Sequence, residues 1–582
     1  MRRRFIAASA LALVALGFAV GLQRFPASTP LGDEATEALK IASLWHDHDL
    51  RVDAADLDRS YLTFHSGPEG LVLTSTDGGV TRRFAGPIAF TLLALPWYAV
   101  FGFKGVVFFN ALLILGAAAL AWRLRDGAGD AGGLFAVGFV LGSAALGYAL
   151  RLGAHGFEFT CAFAALGLWW RERRLTNGRW SRWILVGTLL GVLVHQEPMA
   201  ASVAAAVLID LLFRQRAANW ATLVGALALS WALLGAGQSR LAGQSFAEWR
   251  SGATEVRVFF DAGSLDRGLD GFSEGVSLNG LRGFHALERQ PRVVARNLGY
   301  LLMGRNCGML AFYPFAVAAL LMFVLGPRDR VRWLLVAAFG AGMLGLALLR
   351  TEAWSAPIGD LGFTRLAGLV PALFFLPAGA VRRRWLMLAA VAAGFWVLPA
   401  SLPRFERAGH AAAPSWSRSA LPTELTLLGA HRLEAYGARS QGDLTWWLPK
   451  RELFLEENRS HGLWMQGGAR AEIFVVSPRA LGELEFKLYS FAKDNQVRAS
   501  CGRQEVSVRF DSEAKRSDGV AILLPVEPVA RDLGGFFPAP SHEFYYRVLL
   551  DSSSGAIPVR TWRHNADERY LGVFLSLDGQ AP

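Results

Sequence analysis

Long apolar blocks alternate with short arginine-rich segments through roughly the first 400 residues of this chain. A helix needs about 17–25 mostly apolar residues to cross the hydrocarbon core of a membrane. The blocks predict eleven transmembrane helices, near residues 5–22, 104–122, 131–150, 157–170, 183–195, 199–213, 218–237, 308–325, 331–349, 365–381 and 385–400. We therefore expect residues 1–400 to form an α-helical polytopic membrane domain.

The segment 86–101 decides the predicted topology. If it spanned the membrane, every later arginine cluster would lie outside, against the positive-inside rule. Because it is short and carries Pro87 and Pro96, we interpret it as a membrane-hugging or re-entrant helix on the outer face. The eleven spans then place the N-terminus in the cytoplasm as an uncleaved signal anchor and the C-terminal tail outside. The first outer loop covers 23–103.

From about residue 401 the pattern changes to short alternating runs without a membrane-length block. Such runs predict strands near residues 462–466, 471–476, 484–489, 497–510, 520–525, 544–550 and 570–577. Strands at turn-separated intervals favour an antiparallel β-sandwich. Residues 401–582 are therefore predicted to be a soluble, all-β outer domain.

Composition and motifs narrow the function classes. The net charge of +11 comes from arginines in loops between apolar blocks, so it does not indicate a nucleic-acid partner. Three scattered cysteines, Cys161, Cys307 and Cys501, predict neither a disulfide framework nor a zinc site. The sequence has no Walker A motif, strand-borne Gly-x-Gly-x-x-Gly or Gly-x-Ser-x-Gly. Nucleotide-dependent catalysis is therefore disfavoured.

Two adjacent carboxylates, Asp33 and Glu34, follow the first apolar block by about ten residues. A carboxylate near a low-dielectric boundary has an easily raised pKa, so it can act as a general base near neutral pH. Residues 35–45 are predicted to be helical. The cluster His46-Asp47-His48-Asp49 has metal-binding residue types, but alternating positions on a helix do not converge. We interpret that cluster as a solvated helix end.

Further polar and glycine residues are predicted to lie on the outer face, at several positions along the chain. They are Arg82-Arg83 ahead of the Pro-containing segment, Glu158 at the start of span 4, Gly304-Arg305 with Gly308 before Tyr313-Pro314, and Gly359 and Gly362 before Arg365. With Asp33-Glu34, their order and spacing resemble the GT-C glycosyltransferases that take sugar from a polyprenyl-phosphate carrier, such as protein O-mannosyltransferases and the aminoarabinose transferase of lipid A. The resemblance covers about residues 1–400. It also implies that the outer sandwich is jelly-roll-like.

The resemblance implies a role for each matching position. Asp33 would deprotonate an acceptor hydroxyl, which attacks the anomeric carbon with inversion while the carrier phosphate leaves. Arg82, Arg83, Arg305 and Arg365 are candidates for stabilising that phosphate, since arginine's planar fork of donors suits it; the alternative is that they bind lipid headgroups or anchor helix ends. Glu34 is a second catalytic candidate, as an orienting residue or metal ligand, or else a solvated residue favoured by the helix dipole.

Two histidine–glutamate pairs border predicted spans. His155 and Glu158 lie three residues apart, so they share one face of a helical first turn. His195 and Glu197 precede Pro198 at the outer end of a helical hairpin, where they either line the same cavity or serve the turn. An ionisable residue at membrane depth is a functional candidate by default. We therefore count all four as candidate substrate-binding residues.

The expected reaction is glycosyl transfer on the periplasmic face of a bacterial cytoplasmic membrane. The donor is expected to be a sugar linked to polyprenyl phosphate, and the acceptor a lipid, glycan or protein. The protein would be surrounded by membrane lipids. A divalent metal is a further candidate cofactor, and no residue is assigned as its ligand. One alternative is a surface-glycan ligase or polymerase that binds its acceptor in the long loop 238–305. The others are a secondary transporter, which would be expected to have repeated halves, and a scaffold whose sandwich binds glycans through Trp446, Trp447 or Trp464.

Overall fold

The structure is a computed structural model of the 582-residue chain. It describes residues 30, 32–64, 68, 71–75, 82–125, 129–175, 180–214, 217–243, 254–260, 272–277, 291–327, 329–349, 364–377, 382–397, 421–427, 436–449, 453–454, 462–532, 543–561 and 569–577. The chain forms two compact units, Met1–Glu424 and Leu425–Pro582. The boundary predicted at residue 400 lies in 398–420, outside the described residues.

The first unit is mainly helical. Its helices are α1 Gly32–His46, α2 Ala54–Phe64, α3 Ala89–Phe101, α4 Phe103–Leu124, α5 Gly129–Leu141, α6 Ala145–Tyr148, α7 His155–Glu172, α8 Trp180–Gln196, α9 Ala201–Phe213, α10 Ala217–Leu241, α11 Pro291–Met303, α12 Met309–Phe312, α13 Pro314–Val324, α14 Arg330–Leu349 and α15 Arg383–Ala392. Short 3₁₀ helices cover Pro198–Ala200, Thr364–Leu366 and Val370–Phe375, and a π-helical turn covers Ala393–Val397. The helix predicted over 35–45 is α1.

Within the described residues, three helices are long and apolar enough to cross a membrane. They are Phe103–Leu124, Ala218–Leu241 and Arg330–Leu348, and they coincide with the predicted spans 104–122, 218–237 and 331–349. Shorter apolar helices cover Ala89–Phe101, Gly129–Leu141, Pro198–Phe213 and Pro314–Val324. The predicted span 5–22 lies outside the described residues. The total of eleven spans and the topology stay predictions.

Several apolar blocks that were predicted as single spans are interrupted. The block 308–325 divides at Tyr313, because Pro314 lacks a backbone N–H and begins the next helix. The described part of the block 365–381 contains the 3₁₀ helix Val370–Phe375, with Pro371 at its start. In both blocks the residues are mostly buried, and a proline coincides with the departure from a single continuous α-helix.

A four-stranded sheet, which the sequence analysis did not predict, joins two distant loops of the first unit. Its strands are β1 Leu71–Ser75, β2 Arg82–Phe84, β3 Thr254–Phe260 and β4 Phe272–Ser277, in the order β2-β1-β3-β4 with antiparallel pairing. Leu39 of α1 and Leu57 of α2 share a buried cluster with Leu71, Leu73 and Phe84. The sheet therefore fixes the position of α1, which carries Asp33.

The second unit is all-β, as predicted. Its strands are β5 Tyr436–Gln441, β6 Leu444–Pro449, β7 Leu453–Phe454, β8 Gly462–Gln466, β9 Arg470–Ser477, β10 Glu483–Ser490, β11 Asn495–Cys501, β12 Gln504–Phe510, β13 Val520–Pro525, β14 Ala530–Arg531, β15 Phe544–Ser552 and β16 Leu571–Ser576. Two short helices cover Glu513–Ser517 and Pro558–Thr561. One sheet has the order β13-β10-β16-β8-β7; the other has β12-β11-β15-β9-β6-β5, with β14 paired to β15.

Both sheets contribute to one hydrophobic core. Trp446 and Ile473 come from the larger sheet, while Phe486 and Leu575 come from the smaller one. The two sheets therefore pack face to face as a sandwich; the jelly-roll likeness stays a prediction. Trp446 and Trp447 are buried, so neither is placed to stack on a sugar.

The run 497–510, predicted as a single strand, is a hairpin. Cys501 pairs with Gln504, and the turn between them has Gly502 at φ +63°. Glycine adopts this left-handed conformation without the steric cost that a Cβ brings. The alternating pattern continued through the turn, which is why the sequence analysis missed the reversal.

Candidate functional site

A cavity of about 300 Å³ in the first unit, here called the Asp33 cavity, brings together residues that are far apart in the sequence. It is bounded by α1, by β1 and β2 with the turn that follows β2, and by the ends of α7, α8 and α10. Seven of the ten predicted site residues line it: Asp33, Arg83, His155, Glu158, His195, Glu197 and Arg365. Acidic and basic side chains therefore line the same cavity.

Asp33 lies in the first turn of α1, where the helix dipole favours a carboxylate. The first turn is fixed by Thr36, whose hydroxyl donates to the carbonyl of Gly32 at 2.9 Å and accepts from the amide of Val72 at 2.9 Å. The Asp33 side chain keeps 23% of its surface exposed. It is thus both held in place and accessible from the cavity.

Glu34, the neighbouring carboxylate, does not line the cavity. Its Oε1 accepts a hydrogen bond from the amide of Leu152 at 2.7 Å, and its Oε2 lies 3.7 Å from Arg151. Successive residues on a helix point in directions about 100° apart, so only one of the two faces the cavity. Glu34 instead joins α1 to the turn before α7.

Arg365 lies between two carboxylates of the cavity. Its Nη2 is 3.8 Å from Oδ2 of Asp33, and its Nη1 is 4.0 Å from Oε2 of Glu197. The other oxygen of Glu197 accepts from the amide of Met199 at 3.2 Å and so caps a 3₁₀ turn. The positions Gly359 and Gly362 lie outside the described residues.

Arg82 and Arg83 occupy adjacent positions on β2. Side chains alternate between the two faces of a strand, so the two arginine side chains lie on opposite faces of β2. Arg83 is buried and lines the Asp33 cavity, whereas Arg82 is half-buried and does not line it. The structure therefore brings only Arg83 of this pair into the lining of the cavity that contains Asp33.

His155 and Glu158 contact each other on the first turn of α7, as their spacing predicts. Nδ1 of His155 lies 3.3 Å from Oε2 of Glu158, and the His155 ring lies 5.6 Å from that of Tyr148. The Tyr148 hydroxyl is hydrogen-bonded to that of Tyr313 at 2.7 Å. This connects the Tyr313-Pro314 position to the cavity through side chains.

Arg305 is buried away from the Asp33 cavity. Its amide donates to the carbonyl of Pro422 at 3.0 Å. The next residues are bound by the buried carboxylate of Glu424, which accepts from Asn306 N and Nδ2 at 2.7 Å each and from Cys307 N at 3.1 Å. A Cβ at Gly304 would lie 2.3 Å from Oε1 of Glu424. Glycine is therefore required there for packing.

The sequence analysis missed a buried ion pair beneath the cavity. Nζ of Lys40 donates to Oε1 of Glu37 at 2.5 Å and to the carbonyl of Pro87 at 2.9 Å. Glu37 lines the cavity and also accepts from Thr91 at 3.2 Å; its burial raises the pKa of its carboxyl. A signal was present in the sequence, since Glu37 follows Asp33 by one helical turn and precedes Lys40 by three residues.

The turn between β2 and α3 is held from two sides. Lys40 binds it through Pro87, and Nε2 of Gln238 at the end of α10 donates to the carbonyl of Gly86 at 2.9 Å. Gly86 has φ +82°, which favours glycine. Gln238 also lines the cavity, so one wall is fixed by residues that no sequence motif marked.

Elsewhere among the described residues, one group has the spacing of metal ligands: Asp47, Asp53 and Asp56. Asp53 and Asp56 instead cap α2 reciprocally through their side chains and amides, at 3.2 and 3.1 Å. The guanidinium of Arg59 binds both Asp47 and Asp56. This arrangement is an ionic network around a helix start, outside the Asp33 cavity. Metal dependence stays open.

Comparison with known proteins identifies no relative: no family model matches the chain, and neither does a curated protein or a solved structure. The resemblance to GT-C glycosyltransferases therefore rests on the residues named above.

Proposed function

We propose that this chain is an integral membrane glycosyltransferase of the GT-C type, which moves a sugar from a polyprenyl-phosphate carrier to an acceptor at the outer face of a bacterial cytoplasmic membrane. The observation that carries the proposal is the convergence of Asp33 with Arg83 and Arg365 in one cavity. A base can accept the proton of an acceptor hydroxyl, and fixed cations stabilise the charge on a phosphate leaving group.

In the proposed reaction, the acceptor hydroxyl gives its proton to the Asp33 carboxylate as its oxygen attacks the anomeric carbon. The bond between that carbon and the carrier phosphate breaks, and its electron pair leaves with the phosphate. Attack opposite the leaving group inverts the anomeric configuration. Arg83 and Arg365 stabilise the negative charge that the phosphate gains.

The cavity also contains hydrogen-bonding groups suited to a sugar. Glu158 with His155, Glu197 and Gln196 line it together with the two arginines. Carboxylates accept from hydroxyl groups, and an amide both donates and accepts. We assign these residues to binding the sugar or the acceptor hydroxyl, and leave the identity of the sugar to experiment.

One observation favours the alternative of a glycan ligase or polymerase. The long loop 238–305 contributes β3, which pairs with β1, and β1 supplies Val72 and Thr74 to the cavity lining. Part of the long loop is thus next to the candidate site, where the alternative would place acceptor recognition. The two functions share a lipid-linked donor and differ in the acceptor.

The test is transfer of labelled sugar from a panel of polyprenyl-phosphate hexoses, pentoses and amino sugars to membrane extract by the purified full-length protein. Asp33→Asn should lower kcat by about 10²–10⁴-fold. Asp58→Asn is the matched control, because Asp58 is an exposed carboxylate on α2. Equal turnover by wild type and Asp33→Asn would remove Asp33 as the base. Absence of turnover with every donor would overturn the transferase proposal.

A further inference from the structure

A second cavity in the first unit, of about 110 Å³, contains three arginines. It is lined by Arg125, Arg174 and Arg332 together with Leu124, Trp170, Phe374, Phe375 and Pro377, and is here called the arginine cavity. A water molecule occupies about 30 Å³ in the liquid, so the volume has room for a tetrahedral anion. The aromatic and aliphatic walls lower the effective dielectric constant, so each positive charge attracts an anion more strongly than it would in open solvent.

Arg125 is fixed in the wall of this cavity. Its Nη2 donates to the carbonyl of Phe374 at 2.6 Å and its Nη1 to that of Pro377 at 3.4 Å. The guanidinium also lies 5.4 Å from the ring of Phe135 and 5.0 Å from that of Phe374. Within the part of the chain that the structure describes, it forms no ion pair. Its position is thus set before any ligand binds.

The other two arginines leave the cavity with an excess of positive charge. Arg332 is paired with Asp329 at 2.7 Å through Nη1, while its buried Nε has no hydrogen-bond partner among the described residues. Arg174 lies 5.2 Å from the ring of Trp170 and, in the same described set, forms no ion pair. Among the described residues, one of the three cations is thus paired with a carboxylate, and that carboxylate is half-exposed.

The arginine cavity lies at the opposite end of α7 from the Asp33 cavity. Trp170 follows His155 by fifteen positions on α7, which corresponds to about 22 Å along the helix. Arg125 directly follows α4, one of the three helices long enough to cross a membrane. Trp333, next to Arg332, is half-exposed and packs edge-to-face on Phe323, as an aromatic residue at the level of lipid headgroups does.

We propose that the arginine cavity binds the phosphate group of an anionic membrane phospholipid. Non-specific attraction to anionic lipids needs only exposed arginines in a loop at the membrane surface. The cavity volume, the fixed Arg125 and the excess of positive charge from Arg174 and Arg332 together suit one headgroup phosphate. The proposal is independent of the chemistry in the Asp33 cavity.

The test is native mass spectrometry of the delipidated full-length protein, titrated with phosphatidylglycerol, phosphatidylcholine or inorganic phosphate. Wild type should bind one phosphatidylglycerol more tightly than phosphatidylcholine. Arg174→Gln with Arg332→Gln should weaken that binding by about tenfold or more, because two charge-assisted contacts are lost. Arg123→Gln is the control, since Arg123 is an exposed arginine on the same helix as Leu124 and should bind as wild type does.

If the double variant does not fold, Arg174→Gln alone should still weaken the binding, since Arg174 is exposed. Equal binding of phosphatidylglycerol by wild type and the folded variants would overturn the proposal. Equal binding of the two lipids would also overturn it. Saturation by inorganic phosphate at the affinity of the lipid would assign the cavity to free phosphate instead of a membrane lipid.

Discussion

Nη2 of Arg365 lies 3.8 Å from Oδ2 of Asp33, which is about 1 Å longer than a charge-assisted hydrogen bond between such groups. The two side chains are therefore close without a direct hydrogen bond between them. In the proposed reaction, Asp33 accepts the proton of the acceptor hydroxyl and Arg365 stabilises the departing phosphate.

Replacing Arg365 by glutamine should lower kcat by about 10²–10³-fold with the active lipid-linked donor, because a fixed cation at the leaving group is lost. Arg383→Gln, at an exposed arginine on α15, should keep wild-type kcat. Steady-state transfer of labelled sugar measures both variants. A change confined to KM would mean that Arg365 only binds the donor, and unchanged kinetics would exclude it from the site.

Lys40→Met should lower the free energy of unfolding by about 3–5 kcal/mol, because it leaves the Glu37 carboxylate buried without its partner. Lys40 is fully buried. The double variant Glu37→Gln with Lys40→Met should recover much of that loss, since no buried charge remains. Melting of the three proteins in one detergent measures the effect. A double variant less stable than Lys40→Met would contradict a simple charge pair.

Glu424→Ala should expose Cys307 to thiol reagents, because the carboxylate holds the amides of Asn306 and Cys307. Cys307 is buried in the native protein. Maleimide labelling in a background with Cys161→Ala and Cys501→Ala measures this loop alone. Glu424→Gln keeps one acceptor oxygen and should label more slowly than Glu424→Ala. Labelling at the wild-type rate in both would show that other contacts hold the loop.

The pKa of Asp56 is raised by burial to about 6, above its ordinary value of about 3.9. The folded state therefore binds the proton more tightly than the unfolded state, so the contribution of this group to stability is full below about pH 4 and is lost as pH rises through about 6. Relative to Asp56→Asn, wild type should lose about 2–3 kcal/mol between those values.

Melting temperatures of wild type and Asp56→Asn across that pH range measure the difference. Asp58→Asn, at an exposed position of the same helix, should follow the wild-type pH dependence. Parallel curves for wild type and Asp56→Asn would mean that the Arg59 pairing offsets the cost of burial.

The candidate site was predictable to the extent that it consists of unusual polar residues beside apolar blocks. Asp33, Glu158 and Arg365 stand out in this way, and the structure places them around one cavity. Glu37 and Lys40 were missed because an acidic and a basic residue on a short amphipathic helix look like a solvated pair in the sequence. Only tertiary packing buries them.

For the fold, hydrophobicity predicted three long helices and most strands of the sandwich. The sheet that includes β1 and β3 could not be predicted, because pairing between loops so far apart depends on register and loop closure, not on local pattern. Glu34 and Arg82 illustrate the same point on a smaller scale. Each adjoins a residue that lines the cavity, and only the backbone orientation decides which of the two neighbours faces it.

The pairing of Ser75 with Thr254 also has a consequence for folding during synthesis on the ribosome. At a synthesis rate of about 5–20 residues per second, β1 waits on the order of ten seconds or more before β3 leaves the ribosome. During that time one edge of β1 is unpaired, so its backbone N–H and C=O groups can form hydrogen bonds with a strand of another chain. Assembly of the wall beside Asp33 is therefore a late event, and a chain released before the long loop emerges would lack it.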